Sequence, residues 1–492
     1  MRASRSQLPA AVAALCLVQF MDVLGVTVVV TALPAMLSSL HAAQSDSTLI
    51  ATGYAMCFGG LLMLGARLGD RYGHRRTILA SLGVFAAGAL VTATSSSVVA
   101  LTAGRCVQGA AAAASVPCAL RLLTTVAPDG PPRRRAIAAW SAAGAAAGAS
   151  GFVIGGIVTD LTSWRLIFWA YLPLAAVLGL VIAVSVPADP REGPAPSLNL
   201  AGSLAFTASV MAFVVGSTVI TQPGGRVPGG LILAACVAAA AGFAGIDRRA
   251  AAPLLPRPLI AGRPLRQGAL GSFLNTATTS SVITLLTLYL QSTLHRSALA
   301  AAVALLPFSL AVIAGSGLSA AAARRARPQR IVAAGLALIG AADLALIPAA
   351  RSPWAVPACA AVAGLGIGLS SVAATSLGTD VSSRWRGGAS GIINTAAQVG
   401  TAVGVAALLL IAAVTTGVPA AGGPAPDAAW AVGAAAAVAG AAWFALTGSR
   451  RQGSEAGEPP PGWPPRWRTR SGRTAGTGRG EPPGRALRPS GS

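Results

Sequence analysis

Fourteen apolar stretches, each close to the ~20 residues that cross a bilayer as a helix, constrain this chain more than anything else in it. They run over roughly 10–36, 48–68, 77–96, 98–123, 136–158, 165–187, 198–220, 228–247, 268–292, 298–323, 330–350, 354–377, 388–416 and 427–448. In lipid every backbone N–H and C=O must be satisfied inside the protein, so spans of this length are confined to helices. Charge points the same way. Only 10% of the 492 residues are charged, against about 25% in soluble domains. The expected class is an all-α integral membrane protein.

The net charge is +22, and all 36 basic residues are arginine. Such an excess would suit nucleic acid, but the arginines lie in short connections and one tail, so no nucleic-acid partner is expected. One set of alternate span ends carries Arg71, Arg75, Arg76, Arg133 to Arg135, Arg191, Arg248, Arg249, Arg257, Arg263 and Arg266. Arg324, Arg325, Arg327, Arg330, Arg384 and Arg386 complete that set. The opposite ends hold little more than Arg165, Arg226, Arg296 and Arg351. The positive-inside rule places the first set in the cytoplasm, and with an even number of spans both termini too. The bilayer in question is then the plasma membrane. The first apolar run is too long for a signal-peptide core and reads as the first span.

Enzyme chemistry finds little support. Cys16, Cys57, Cys106, Cys118, Cys236 and Cys359 all fall in apolar stretches without metal-ligand spacing, and read as small core residues. His41, His74 and His295 are scattered over connections. There is no G-x-S-x-G and no phosphate-cradling P-loop. No cofactor or metal is expected. Residues 449–492 are rich in Pro, Gly, Arg and Ser, cannot build a core, and read as a disordered tail. Trp463 and Trp467 among its arginines would rest on anionic headgroups or simply be solvated.

The connection Gly65-Ala-Arg-Leu-Gly-Asp-Arg-Tyr-Gly-His-Arg-Arg76 is too specific to be a generic linker. It resembles the G-x-L-x-D-R-x-G-R-[RK] loop between helices 2 and 3 of major facilitator superfamily transporters. Leu68, Asp70, Arg71, Gly73, Arg75 and Arg76 carry the likeness, with Ala66 at the first glycine and His74 where arginine is usual. The resemblance covers about residues 15–415 and is closest to the fourteen-helix drug:proton antiporter branch. It implies two six-helix halves, residues 1–190 and 266–448, with two additional central helices between them in 191–265. Such parallel repeats rock against each other. A weak echo of the first loop, Ser319 to Arg330, follows the tenth span. In the family the loop aspartate, here Asp70, is implied to gate by meeting a helix N-terminus and nearby arginines, with Arg121 as a partner, a geometry that favours anions.

Other motifs extend the likeness. Gln19 to Pro34 resembles the branch's helix 1 pattern L-D-x-T-x-V-N-x-A-L-P, matching at Leu24, Thr27, Val29, Ala32, Leu33 and Pro34. Gly25 stands at its aspartate and Val30 at its asparagine, while Asp22 lies about one turn earlier on the same face. Arg105, Gln108 and Gly109 match the helix 4 motif linked to proton transfer, which makes Asp22 the expected partner of Arg105. Gly144 to Gly156 resembles the antiporter motif G-x(3)-G-P-x(2)-G-G. Gly151, Gly155 and Gly156 are kept, with Ala147 and Phe152 at the other glycine and the proline. Ser163 to Phe168 matches the entry to helix 6, and Leu288 to Gln291 and Gly388 to Thr395 also look like this branch.

Intramembrane acids are functional candidates by default, and two, Asp22 and Asp343, fall deep in the spans. With Arg105 they are the proton-coupling candidates. Asn275, Gln291, Asn394 and Gln398 either join helices or line a substrate cavity. The function implied is proton-coupled export of amphipathic organic compounds, drugs or antibiotics among them, by a monomer working through alternating access. A narrow metabolite transporter on the same fold, or a non-transporting receptor or scaffold, are the other readings.

Overall fold

The computed structural model describes residues 8–43, 46–128, 131–187, 198–222, 224–251, 253–350, 352, 354–381, 386–416 and 426–449. Expectations for the tail after 449, with Trp463 and Trp467, and for Arg191, Arg351 and Arg384 fall outside these. The first eight helices are α1 (Leu8–Ser39), α2 (Ser47–Tyr72), α3 (His74–Ala93), α4 (Val98–Val126), α5 (Pro131–Leu161), α6 (Trp164–Ser185), α7 (Leu200–Ile220) and α8 (Arg226–Arg249). A single turn, α9 (Arg257–Ile260), was not foreseen. Then come α10 (Arg263–Leu288), which runs into a π-helical turn Tyr289–Thr293, α11 (Ala298–Ala322), α12 (Pro328–Ala349), α13 (Ala355–Gly378), α14 (Arg386–Thr416) and α15 (Asp427–Ser449).

All but α9 correspond to the fourteen expected spans, and among the described residues fourteen helices are long and apolar enough to cross a membrane. Polar caps start several of them. Ser97, Ser163 and Ser297 accept from backbone N–H groups of α4, α6 and α11, which satisfies donors a helix start leaves open. Pro34, Pro117, Pro173 and Pro307 sit inside helices, as neighbours in a membrane bundle allow.

The abundance of small residues follows from the solvent. Lipid offers no hydrophobic drive for helix pairing, so close backbone approach must supply it. A methyl at Gly335 would meet the Gly366 carbonyl at 2.6 Å, and one at Gly65 would lie 2.6 Å from the Ala114 Cα. These contacts knit α12 to α13 and α2 to α4. Outward faces are apolar, with Leu161, Leu231 and Val237 among the exposed residues.

Helices α1–α6 pack among themselves, and so do α10–α14, with α15 against α12 where Gly340 faces Ala434 and Val438. The groups meet where α5 packs on α11 and α2 on α14, with α1 touching α10 and α11. Helix α7 lies against both α2 and α14, and α8 leans on α7. The turn after α8 is tied by Asp247. Its carboxylate accepts from Asn199 Nδ2 at 2.8 Å, Leu254 N at 2.6 Å and Leu255 N at 3.1 Å.

Candidate functional site

Tyr54 organises the polar centre of the first six helices. Its hydroxyl donates to Asp22 Oδ1, and its ring lies under the Arg105 guanidinium, 4.6 Å from carbon to centroid. Arg105 donates to the Gly25 carbonyl at 2.7 Å and to Gln108 Oε1 at 3.2 Å. Phe168 covers the guanidinium from another side at 5.9 Å. Asp22, Tyr54, Arg105 and Gln108 are all buried.

The expected direct pairing of Asp22 with Arg105 is therefore corrected. The arginine reaches the α1 backbone one turn beyond the acid, at the position where the likeness led one to expect an aspartate. Tyr54 fills the space between the two charges. Gly109 explains how: α4 presses on the Tyr54 carbonyl there, and a Cβ would collide with it. Arg105 Nε, Gln108 Nε2 and Tyr171 Oη are buried without hydrogen-bond partners among the described residues. A buried polar atom left unpaired costs about 1–3 kcal/mol, so this cluster keeps spare hydrogen-bonding capacity. Sequence reasoning missed Tyr54 and Tyr171. The available signal was a tyrosine deep in a span, whose hydroxyl needs a partner when buried.

The glycine motif of α5 works by contact. Side chains at Gly151 and Gly155 would strike Thr27 and Thr31 of α1. At Gly156 a Cβ would sit 2.7 Å from the Ala302 Cβ and 2.9 Å from the Ala298 carbonyl of α11. The first two glycines thus seat α5 on α1, and the third brings α11 against α5. Phe152, at the motif's proline, is buried and meets Phe308 of α11 edge-on, with centroids 6.2 Å apart. Its carbonyl accepts from Thr31 Oγ1 at 3.2 Å. Gln291 belongs to the same closure. Its amide donates to the Thr31 carbonyl at 3.0 Å, joining α10 to α1. These contacts join α1 and α5 to α10 and α11 toward the arginine-poor end, where α5 finishes and α11 begins.

The Gly65–Arg76 segment is helix rather than loop. Leu68, Asp70 and Arg71 end α2, Arg75 and Arg76 begin α3, and Gly73 alone turns the chain with φ of 94°, a conformation glycine adopts without strain. Asp70 is more than half exposed and pairs with His74 Nε2 at 3.4 Å. No ion pair joins it to Arg121 among the described residues, correcting that expectation. Arg75 donates to the Ala183 carbonyl of α6. Arg67 donates to the Pro253 carbonyl at 2.7 Å, so the segment also holds the chain that follows α8.

In the last six helices Asp343 is wholly buried on α12, and neither carboxylate oxygen has a partner among the described residues. Gly433 of α15 borders it: a Cβ there would lie 3.5 Å from Oδ2. Trp430, one turn earlier on α15, is also fully buried with its Nε1 unpaired. Asp343 is thus far from the Asp22 cluster in the chain and is held by a different set of helices. Asn275 is buried and accepts from Ser370 Oγ at 2.8 Å, so it joins α10 to α13. Asn394 and Gln398 are half-buried on α14. The Gln398 Cβ occupies the space left by Gly59 of α2. No group of His, Cys, Asp and Glu suited to a metal occurs among the described residues.

A family model described as the Major Facilitator Superfamily matches residues 15–405. The chain is 32% identical over 407 residues to the cephamycin export protein CmcT of Amycolatopsis lactamdurans, covering 80% of this chain and 83% of that protein. It is 32% identical over 412 residues to a puromycin resistance protein of Streptomyces alboniger, covering 82% and 81%. The lincomycin resistance protein of Streptomyces lincolnensis is 30% identical over 403 residues, covering 81% and 83%. The fold is similar to the crystal structure of a bacterial homologue of the human lysosomal transporter Spinster, inward-facing and unoccupied. That comparison gives a TM-score of 0.64 at 16% identity, covering 90% of this chain and 96% of that one.

Proposed function

The chain belongs to the Major Facilitator Superfamily, and from that premise we propose that it exports amphipathic organic compounds, antibiotics among them, against inward proton flow. The arginine-rich ends and both termini lie in the cytoplasm of a plasma-membrane monomer, following the positive-inside rule. Helices α1–α6 and α10–α15 are the two halves that rock, with α7 and α8 as the additional pair. In this reading the arginine-poor end, closed by α5 on α11, faces outward, and the state assigned is inward-facing. Its task is transport, not covalent catalysis.

The observation that carries this reading is the buried Asp22 whose charge is met through Tyr54. An ionised Asp22 holds the Tyr54 hydroxyl, which fixes the ring against Arg105. Arg105 in turn ties α4 to α1 at Gly25. A proton on Asp22 weakens the first of these links, because a hydrogen bond to a charged group is worth about 1.5–3 kcal/mol and one to a neutral group roughly half that. The junction of α1, α2 and α4 loosens, and the half can move. Asp343, buried without partners, is the second proton-binding carboxyl in this scheme. The relatives named for export or resistance support the substrate class.

The test is efflux of a cationic dye and of an antibiotic panel from a pump-deficient bacterial host, with and without a protonophore. Export should collapse with the proton gradient, and Asp22→Asn should abolish it while the protein still reaches the membrane. Full export by that variant ends the Asp22 assignment. A second reading, narrow specificity, draws on relatives each named for a single antibiotic. Export of one panel member and no other would favour it.

A further inference from the structure

Asp160 is the next-to-last residue of α5, and its carboxylate crosses to the other half. One oxygen accepts from the Ala298 N–H at 3.1 Å and the other from the Leu299 N–H at 2.9 Å. These are the first two residues of α11. The third donor of that turn, the Ala300 N–H, goes to its own cap, Ser297 Oγ, at 3.1 Å. The opening turn of α11 is therefore completed by an acid that α11's own half does not supply. A helix start leaves its first N–H groups without intrahelical acceptors and carries partial positive charge. A carboxylate bridging two of them is well matched. Among the described residues Asp160 has no ion pair with a basic side chain, so the α11 terminus is the positive group it answers to. Gly156, one turn earlier, makes the approach possible, since a side chain there would push α11 away.

We propose that Asp160 is the latch of the outer gate. Its carboxylate clips the α11 terminus when the arginine-poor end is shut, must let go when that end opens, and so sets the balance between the two states of the transport cycle. The proposal rests on the alternating-access reading but not on proton coupling or on any substrate. It also completes a pattern. In this state Asp70, at the opposite end, is mostly exposed and pairs within its own segment, while Asp160 is engaged across the halves. The two ends of the molecule are locked at different points of the cycle.

The experiment is a distance measurement on the full chain in lipid nanodiscs. Spin labels go on Thr162→Cys and Arg296→Cys, exposed positions flanking the latch on either half, and double electron–electron resonance reads their separation, with single-label controls for the native cysteines. Wild type should give mainly the short distance. Asp160→Asn should raise the longer population about fivefold, the size an exposed helix-terminal carboxylate supplies, and Asp160→Glu should restore most of the short one. Ala298→Pro is the second variant. It deletes one donor at the first helical position, where proline is tolerated, and Ser297 before it is already extended at φ −64° and ψ 159°. It should lengthen the distribution in the same direction by a smaller factor. An unchanged distribution in both variants overturns the latch, and if Asp160→Asn does not fold, Ala298→Pro alone decides. Efflux by wild type in cells tests the export reading separately, so either can fail without the other.

Discussion

Replacing Gly156 with alanine should cripple the closure between α5 and α11. The new Cβ would lie 2.7 Å from the Ala302 Cβ, 2.9 Å from the Ala298 carbonyl oxygen and 3.1 Å from the Leu299 Cα. Carbon atoms in ordinary contact stand ~3.5–4.0 Å apart, and two of these three neighbours are backbone that cannot swing aside. Helix α11 must therefore retreat by roughly 1 Å, loosening the Asp160 bonds with it. Overpacking of this kind costs about 1–3 kcal/mol, which disfavours the sealed state by about 5- to 150-fold. Gly148→Ala is the internal control. It lies two turns earlier on the same helix, and its Cβ would meet only Val23 Cγ1, at 3.9 Å. Helix propensity even favours that change by about 0.8–1.0 kcal/mol. The assay is the Thr162–Arg296 spin-label distance together with export rate per membrane-inserted protein. Gly156→Ala should lengthen the distance and cut the rate at least fivefold, and Gly148→Ala should leave both within twofold of wild type. Equal behaviour of the two variants would refute the contact argument.

Two further outcomes follow from the polar sites. Tyr54→Phe removes the hydroxyl that meets Asp22 but keeps the ring under Arg105, so gradient-driven export should fall about tenfold or more, from loss of a hydrogen bond worth about 1.5–3 kcal/mol, with unchanged protein in the membrane; wild-type export would remove Tyr54 from the scheme. Asp343→Asn breaks no hydrogen bond, so thermal stability in detergent should hold or rise, while proton-driven export should fall severalfold; intact export would leave Asp343 a structural acid.

The spans were legible because lipid imposes length and apolarity on each helix separately, so hydropathy along the chain reports them one by one. Arg105 was legible for the same reason, as a charge where charge is costly. The contacts between helices were not. Asp22 and Tyr54 are 32 residues apart, and which face of α2 meets α1 depends on where glycines such as Gly109 let α4 press in. The Gly65–Arg76 segment was recognised by its residues, yet read as a loop because arginines and glycines break hydropathy. The backbone needs only Gly73 to turn. Asp160 was passed over since it sits just outside an apolar window, and its role exists only when α11 is brought against it. Gln291, grouped with cavity candidates by its polarity, also donates to the Thr31 carbonyl of α1, a link between helices that chain order does not reveal.

The measurement that tests proton-coupled export most directly uses purified protein in proteoliposomes carrying a trapped pH-sensitive dye. Adding a transported cationic substrate should move protons in the opposite direction with wild type, and Asp22→Asn vesicles should show substrate binding but no proton movement. Substrate movement without any proton flux in wild type, or an undiminished flux with Asp22→Asn, would contradict the account.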